Sequence, residues 1–393
     1  MQFVHSEEQR LIRDSARALL AARAGPAQLR AALSEPGSYD GELWRTIVEL
    51  GWTGLALPED CGGAGLGWVE LCILQEEQGR LLVASPFFAT SALAAPLIAA
   101  SASASANATQ RRALLTRIAC GDARIACALN GTDGRPPPEG IAVSLERRAD
   151  GFTLRGVSDF VIHADSADLL LVLARAPHAQ GAEGISVVVI PAASAGVTIH
   201  PHVMLDLTRP MSRVELEGVS VEPQQILGEA GAAGAAGTAI TAALDRARIA
   251  LASEALGGAE RVLEMTTAYV KERIQFGRPI GSFQAIKHRL ADMMIEVEAA
   301  KSAAWYAACV ADERPEELSE AAAIAKSYCC DAFFDCAANA IQLHGGTGFT
   351  WEHDVHLYFK RARATAMLLG SPAWQRERLV RHFASGAAPT PVF

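Results

Sequence analysis

The spacing of apolar residues changes twice along this chain, and that change limits the folds open to it more than any single motif. From Ser6 to about Gly121 the pattern is helical: Ser6 followed by Glu7, Glu8 and Gln9 is an N-cap signal, and Leu11, Ser15, Ala18 and Leu19 continue one face. From Arg124 to Glu222 the period shortens to two, in runs such as Ile141 to Leu145, Leu169 to Leu173, Ser186 to Ile190 and Val214 to Leu216, with turn residues between them. Gly231, Gly234 and Gly237 read as a flexible joint, after which helical stripes return. One runs Leu244, Ala247, Leu251, Ala255, Gly258, Val262, Met265, Tyr269, and a second runs Ile286, Leu290, Met293, Val297, Ala300, Ala304. A third, Leu318, Ala322, Ala325, Cys329, Ala332, Cys336, Ala340, Leu343, carries two cysteines as small buried hydrophobes. The expected architecture is α+β: an N-terminal α-helical domain over 1–121, a middle β-sandwich or barrel domain over 122–228, and a C-terminal antiparallel helical bundle over 229–393.

Several function classes drop out on composition. The 393 residues carry 35 basic against 44 acidic side chains, a net charge of −9, the wrong sign for a surface that collects nucleic-acid phosphates. The N-terminus has neither a basic segment nor an apolar run of the secretory type, and the most apolar stretch, Ala89 to Ala100, is interrupted by Pro96 and far shorter than the ~20 residues of a membrane span. A cytoplasmic location without a membrane span is expected. The eight cysteines lack the paired spacing of a zinc site, and neither G-x-G-x-x-G after a strand nor G-x-x-x-x-G-K occurs. Glu352-His353-Asp354-Val355-His356 reads as a polar helix start and not as a metal site, Trp351 as core, and Ser101 to Ala106 as a connecting loop.

Two ordered motifs narrow the reading further. Tyr269-Val-Lys-Glu-Arg273-Ile-Gln275-Phe276-Gly277-Arg-Pro-Ile280-Gly-Ser-Phe283-Gln284 and the later Gln342-Leu-His-Gly345-Gly346-Thr-Gly348-Phe349 resemble the two C-terminal signatures of the flavin-dependent acyl-CoA dehydrogenases. Trp44 to Gly67 and Leu205 to Pro210 resemble stretches of that family's helical and β domains, so the resemblance covers essentially the whole chain. It implies FAD as cofactor and desaturation of an acyl-CoA thioester, as in β-oxidation. A carboxylate takes the α-proton, the β-hydrogen leaves as hydride to flavin N5, and a trans-2-enoyl-CoA results. It also implies electron-transferring flavoprotein as acceptor and a homodimer, homotetramer or heterotetramer with a related subunit as the assembly.

The resemblance assigns residues unevenly. In the family the diphosphate half of FAD is held largely by the neighbouring protomer, and here Arg273, Gln275, Phe276, Gln284, Gln342, Gly345 and Gly346 match. A forked cation suits pyrophosphate, and a glycine pair lets backbone N–H groups approach phosphate oxygens. The flavin-ring half departs from the pattern: Leu129-Asn130-Gly131-Thr132-Asp133-Gly134 stands where T-E-P-x-x-G-S-D is usual, and Phe160-Val161-Ile162 where W-I-T is usual, so Phe160 keeps an aromatic wall but Ile162 lacks a hydroxyl. Leu369 occupies the place of the usual catalytic glutamate, before Gly370, with Ser371 as a cap that can also touch cofactor. A smaller group of relatives carries the base on the first long C-terminal helix before an arginine, which here is Asp245 before Arg246, an orienting or substrate-binding charge. Asp245 has a structural explanation too, as an acid in the opening turns of a helix with Arg248 at i+3. Three roles remain open: an active dehydrogenase with Asp245 as base, a non-catalytic partner subunit lending its diphosphate contacts, and a flavin oxidase or monooxygenase on the same fold. Small residues at Gly257 and Gly258 allow either a roomy pocket or a tight helix crossing.

Overall fold

The computed structural model describes residues 5–33, 39–101, 108–149, 151–181, 183–228 and 235–384. In chain order the helices are α1 (Glu7–Arg23), α2 (Pro26–Leu33), α3 (Gly41–Glu49), α4 (Trp68–Arg80), α5 (Ala95–Ala100), α6 (Ala108–Ala119), α7 (Ala235–Glu272), α8 (Gln284–Glu313), α9 (Leu318–His344), α10 (Val355–Met367) and α11 (Pro372–Ala384). The strands are β1 (Ile125–Ala128), β2 (Val143–Arg148), β3 (Gly151–Ile162), β4 (Leu169–Arg175), β5 (Ile185–Pro191), β6 (Val197–Pro201), β7 (Met211–Val221), β8 (Ile226–Leu227), β9 (Ile274–Gln275) and β10 (Arg278–Pro279). The order helical, β, helical agrees with the two changes of period. Gly231, Gly234 and most of the serine-alanine stretch lie outside the described residues, whereas Gly237 is helical, inside α7 and not in a joint. No helix among the described residues is long and apolar enough to cross a membrane.

The chain forms two compact units. One comprises residues 32–67 and 84–247 and is built on a single eight-stranded mixed sheet of order β6-β7-β3-β2-β4-β5-β8, with β1 on β4. The β1–β4 and β2–β4 pairs are parallel and the other pairings antiparallel. Every residue from Leu169 to Ala174 is buried, so β4 shows a continuous apolar run, while β2 alternates as a half-covered strand does. Leu154, Leu170, Val172, Val188, Ile190 and Val214 centre the sheet's core. A buried π-helical turn, Phe88–Ala94, precedes α5, and Thr90 closes it on β1 by accepting from the Ile125 N–H at 3.1 Å.

The other unit comprises residues 1–31, 68–83 and 248–393, and its described residues are helical apart from the small β9–β10 hairpin and the connecting turns. Ser6 caps α1 as expected, its hydroxyl accepting from the Gln9 N–H while Gln9 Oε1 accepts from the Ser6 N–H. The buried face of α1 differs from the expected one: Ala16 and Leu20 are inside and Leu11 is 65% exposed. Polar links to α4, Gln9 to Glu70 at 2.8 Å and Arg17 to Glu77 at 2.6 Å, set the helix's rotation, and a stripe of small and polar residues did not encode it.

Gly257 and Gly258 mark tight crossings. A Cβ on Gly257 would stand 1.9 Å from the Glu76 carbonyl oxygen, and one on Gly79 would stand 2.1 Å from that of Glu254, so α4 and α7 cross backbone to backbone. A Cβ on Gly258 would meet the Phe333 ring of α9 at 2.4 Å. Cys329 and Cys336 are buried as their stripe predicts, and burial pushes both thiols up. Lys326, fully buried on α9, donates to the Thr365 and Ala366 carbonyls at the end of α10, at 3.0 and 3.2 Å.

Candidate active site

Helix α7 ends at Glu272, and the chain turns at once through a two-residue hairpin. Gln275 pairs with Arg278 and Ile274 with Pro279, which leaves Phe276 and Gly277 at the tip with φ of +53° and +77°. Two positive φ values are the I′ geometry that matches strand twist. Glycine takes that conformation freely, whereas phenylalanine is strained in it by roughly 1–2 kcal/mol. Phe276 is also 92% exposed, touching Phe283 edge-on with ring centres 6.1 Å apart. A bulky apolar residue held in a strained conformation and turned to solvent is not serving its own chain's core.

The other members of that motif are presented in the same way. Arg273, Gln275 and Gln284 are exposed, and the Arg273 guanidinium has no hydrogen-bond or ion-pair partner among the described residues. Gln342 stands exposed on the last turn of α9, followed by Gly345 at φ +61° and ψ −142°, a conformation essentially confined to glycine. Nothing lies within 4 Å of a Cβ built on Gly345 or Gly346. These glycines are therefore not required by internal packing: the Gly345 N–H donates to the Gln342 carbonyl, and the space where a side chain would stand is open at both.

One contact joins the two motifs. The Tyr269 ring stacks on His344 at 4.2 Å, and its hydroxyl donates to the His344 carbonyl at 3.3 Å. His344 is buried, its Nδ1 donating to the Ala340 carbonyl at 2.8 Å, and burial lowers its pKa against the pull of that carbonyl. His353 packs 4.6 Å from His344, and the Asp354 carboxylate at the start of α10 pairs with Arg30. No group of three or more side chains able to hold a metal ion occurs among the described residues. Trp351 is exposed and not core; Lys360 Nζ lies 4.2 Å over its ring.

The segment matching the usual base is sealed. Leu369 is buried at φ +53°, and its carbonyl accepts from Arg248 Nε at 2.9 Å and Gln375 Nε2 at 3.0 Å. Gly370 follows at φ +102°, where a Cβ would strike the Trp374 ring at 2.4 Å. The Ser371 hydroxyl accepts from the Trp374 N–H at 3.3 Å and so caps α11. Arg248, 1% exposed, is the residue that sequence reasoning undervalued: its link to Leu369 spans 121 residues and leaves no local signal.

Phe160 and Asp245 belong to the sheet-bearing unit. Between the pairs Ser158–Val214 and Val161–Ser212, both Asp159 and Phe160 stand opposite Arg213, a β-bulge that turns Phe160 out at φ +56° and 40% exposure. Its ring stacks on His202 at 5.4 Å, and His202 Nε2 in turn contacts the buried Asp159 carboxylate. Ile162 is buried and apolar. Asp245 is 1% exposed and sits ten residues beyond Ala235, so the explanation from the opening turns of a helix fails, because the macrodipole acts within the first turn. Arg246 beside it is half-buried.

An exposed forked cation and an outward aromatic beside the hairpin, and an unobstructed glycine pair on the motif joined to it through Tyr269 and His344, suit a diphosphate-bearing cofactor presented from outside this chain. Comparison with known proteins agrees. Residues 6–122 match the acyl-CoA dehydrogenase N-terminal domain and residues 236–384 the acyl-CoA dehydrogenase C-terminal domain. Acyl-CoA dehydrogenase IpdE2 of Mycobacterium tuberculosis is 35% identical over 380 residues, covering 95% of this chain and 96% of that protein. Among solved structures, a variant of the Tcur3481-Tcur3483 steroid ACAD superposes with a TM-score of 0.83 at 32% identity, covering 98% of this chain and 99% of that one. Butyryl-CoA dehydrogenase of Megasphaera elsdenii superposes at 0.89 and 27%, covering 98% and 100%. The ChsE4-ChsE5 complex of M. tuberculosis gives 0.87 and 28%, covering 99% and 100%. With both terminal domains matched and a relative this similar over nearly its whole length, the chain belongs to the FAD-dependent acyl-CoA dehydrogenase family of oxidoreductases.

Proposed function

We propose that this chain serves α,β-desaturation of an acyl-CoA thioester in an oligomer whose FAD is shared across subunits, with its own Arg273, Gln275, Phe276, Gln284, Gln342, Gly345 and Gly346 reaching the diphosphate half of a neighbour's cofactor. The observation that carries this reading is Phe276, strained at φ +53° and 92% exposed at the tip of its hairpin. FAD, when bound, supplies the hydride acceptor. The chain's residues do the rest: Arg273 offers two parallel N–H donors to phosphate oxygens, the Gly345-Gly346 turn lets the cofactor approach the backbone with no Cβ in the way, and Phe276 covers the cofactor from water. Asp245 is the carboxylate assigned to take the α-proton, a buried acid on α7. Arg246 orients the substrate side, Phe160 walls the ring side, and Ser371 fixes the start of α11. Electron-transferring flavoprotein is the assigned electron acceptor. The domain division 1–121, 122–228 and 229–393 belongs to the same reading.

A second reading has its own support. The Leu369 carbonyl pinned by Arg248, and the apolar Ile162 on β3, favour a subunit that lends FAD contacts while ring and base reside in a related partner chain. The ChsE4-ChsE5 complex, a two-protein assembly by its name, is in keeping with that arrangement.

The test is FAD per chain and oligomeric mass for the protein made alone. Near-stoichiometric FAD in a homo-oligomer, with Asp245→Asn abolishing flavin reduction by an acyl-CoA panel, is expected from the first reading. Apoprotein that gains FAD only when co-expressed with a related chain selects the second. No FAD under either condition refutes both.

A further inference from the structure

Helix α9 ends on His344, and the carbonyls of a last helical turn lack partners within the helix. What they meet instead sets how the chain leaves α9. The Gly345 N–H donates back to the Gln342 carbonyl, and Gly345 turns the chain at φ +61° and ψ −142°. The His344 carbonyl is met from another helix: the Tyr269 hydroxyl on α7, 75 residues away in sequence, donates to it at 3.3 Å. A peptide unit is planar, so the His344 C=O and the Gly345 N–H move as one plate. That plate is held at its oxygen by Tyr269 and at its N–H by Gln342.

The His344 ring is fixed as well. Its Nδ1 donates to the Ala340 carbonyl at 2.8 Å, Tyr269 stacks on it at 4.2 Å with 25° between the planes, and His353 packs 4.6 Å away. Gly348 closes against the same residue, since a Cβ there would stand 3.0 Å from His344 Cβ. Further along, Arg30 on α2 donates to the Trp351 carbonyl and pairs with Asp354, which ties down the far end of the segment. Tyr269 also belongs to the backbone that leads into the hairpin, its carbonyl accepting from the Arg273 N–H at 2.8 Å. One residue thus touches both motifs, the first through its backbone and the second through its side chain.

We propose that Tyr269 is a positioning residue for the cofactor, acting through His344: its hydroxyl and ring hold the His344–Gly345 peptide, and with it the Gly345-Gly346 turn, in one orientation relative to Arg273. The proposal rests on the shared-FAD reading and names what aligns its second motif with its first. Glycine backbone is the least constrained of all, and neither Gly345 nor Gly346 has an atom within 4 Å of a Cβ position to pack against. Order in that turn has to be imposed from outside it. A turn ordered before FAD arrives spares the binding step that cost.

The experiment measures FAD affinity by fluorescence quenching in the oligomer that retains FAD, made from this chain alone or with a related chain, and amide hydrogen exchange in the FAD-free protein. Tyr269→Phe keeps the stack and removes the hydroxyl. It is expected to weaken FAD about fivefold and to speed exchange of the Gly345 amide by a similar factor, with the β9–β10 amides unchanged. Tyr269→Leu removes both contacts and is expected to weaken FAD by more than about tenfold. Because Tyr269 acts through the turn, Tyr269→Phe should cost nothing further in a Gly345→Ala background, yet add in full to Arg273→Ala. General loosening of the fold would add to both. Unchanged exchange at Gly345, or additivity with Gly345→Ala, overturns the proposal. FAD affinity lost on Arg273→Ala but kept on Tyr269→Phe overturns it and leaves the shared-FAD reading intact, whereas no effect of Arg273→Ala overturns that reading and this proposal with it. The exchange measurement on Tyr269→Phe stands by itself where Gly345→Ala fails to fold.

Discussion

Replacing Gly257 by alanine tests the closest approach in the helical unit. The new Cβ would lie 1.9 Å from the Glu76 carbonyl oxygen, 2.8 Å from its carbon and 3.1 Å from the Arg80 nitrogen. Ordinary contact begins at 3.4 Å, so α4 and α7 must part by about 1.5 Å (3.4 less 1.9). The obstructing atoms are backbone, and no rotamer change relieves them. Overpacking of this kind costs about 3 kcal/mol or more, and the helix-propensity gain of alanine over glycine returns about 1 kcal/mol, leaving a net loss near 2 kcal/mol. The assay is urea unfolding of the variant followed by far-ultraviolet circular dichroism, with Gly79→Ala and the double variant alongside. Gly79→Ala should behave similarly, because its Cβ would stand 2.1 Å from the Glu254 carbonyl. The double variant should lose less than the sum of the two, since one separation of the helices accommodates both methyl groups. A midpoint for Gly257→Ala equal to or above the parent, or strict additivity, would refute the reasoning.

Other outcomes follow from single residues. Phe276→Gly relieves a left-handed phenylalanine and should stabilise the isolated chain slightly, by up to about 1 kcal/mol, while lowering FAD retention in the assembly; unchanged retention would remove Phe276 from the cofactor site. Because the folded-state pKa of Glu76 is raised from 4.5 to about 8, the native state holds that proton more tightly than the unfolded chain. Stability should therefore fall as pH rises from about 4.5 to about 8 and level off above, and urea midpoints at pH 5 and pH 8.5 should differ less for Glu76→Gln. Lys326→Met leaves the Thr365 and Ala366 carbonyls buried without their donor, and thermal unfolding should show a loss of about 2–3 kcal/mol; a neutral result would mean that water replaces the ammonium.

The features legible in the sequence were those that a short window contains. The change from helical to alternating spacing located the sheet between two helical stretches, the Ser6 box started α1, and the cysteine stripe named the buried face of α9, because each depends on residues within a few turns or one strand. The first signature likewise held a complete local structure, the Phe276-Gly277 turn between two paired dipeptides. Where the pattern was weak the local reading failed: α1 rotates to bury Ala16 and Leu20 in place of Leu11, since its partners on α4, some 60 residues away, decide which side faces inward.

Tertiary structure alone decided what the special residues do. Gly257 and Gly258 permitted a roomy pocket, with a tight crossing the commoner explanation for such glycines, and Glu76 and Phe333 brought against them decide for the crossing. Arg248 read as a neighbour of Asp245 until its guanidinium reached the Leu369 carbonyl, and Trp351 read as core until it emerged exposed. Sequence by itself determined which backbone conformations and periodicities the chain favours, because those are set by atoms close along the chain. Which side chains lack a partner among the described residues, such as Arg273 beside the hairpin, is set by neighbours far along it and by the water they exclude.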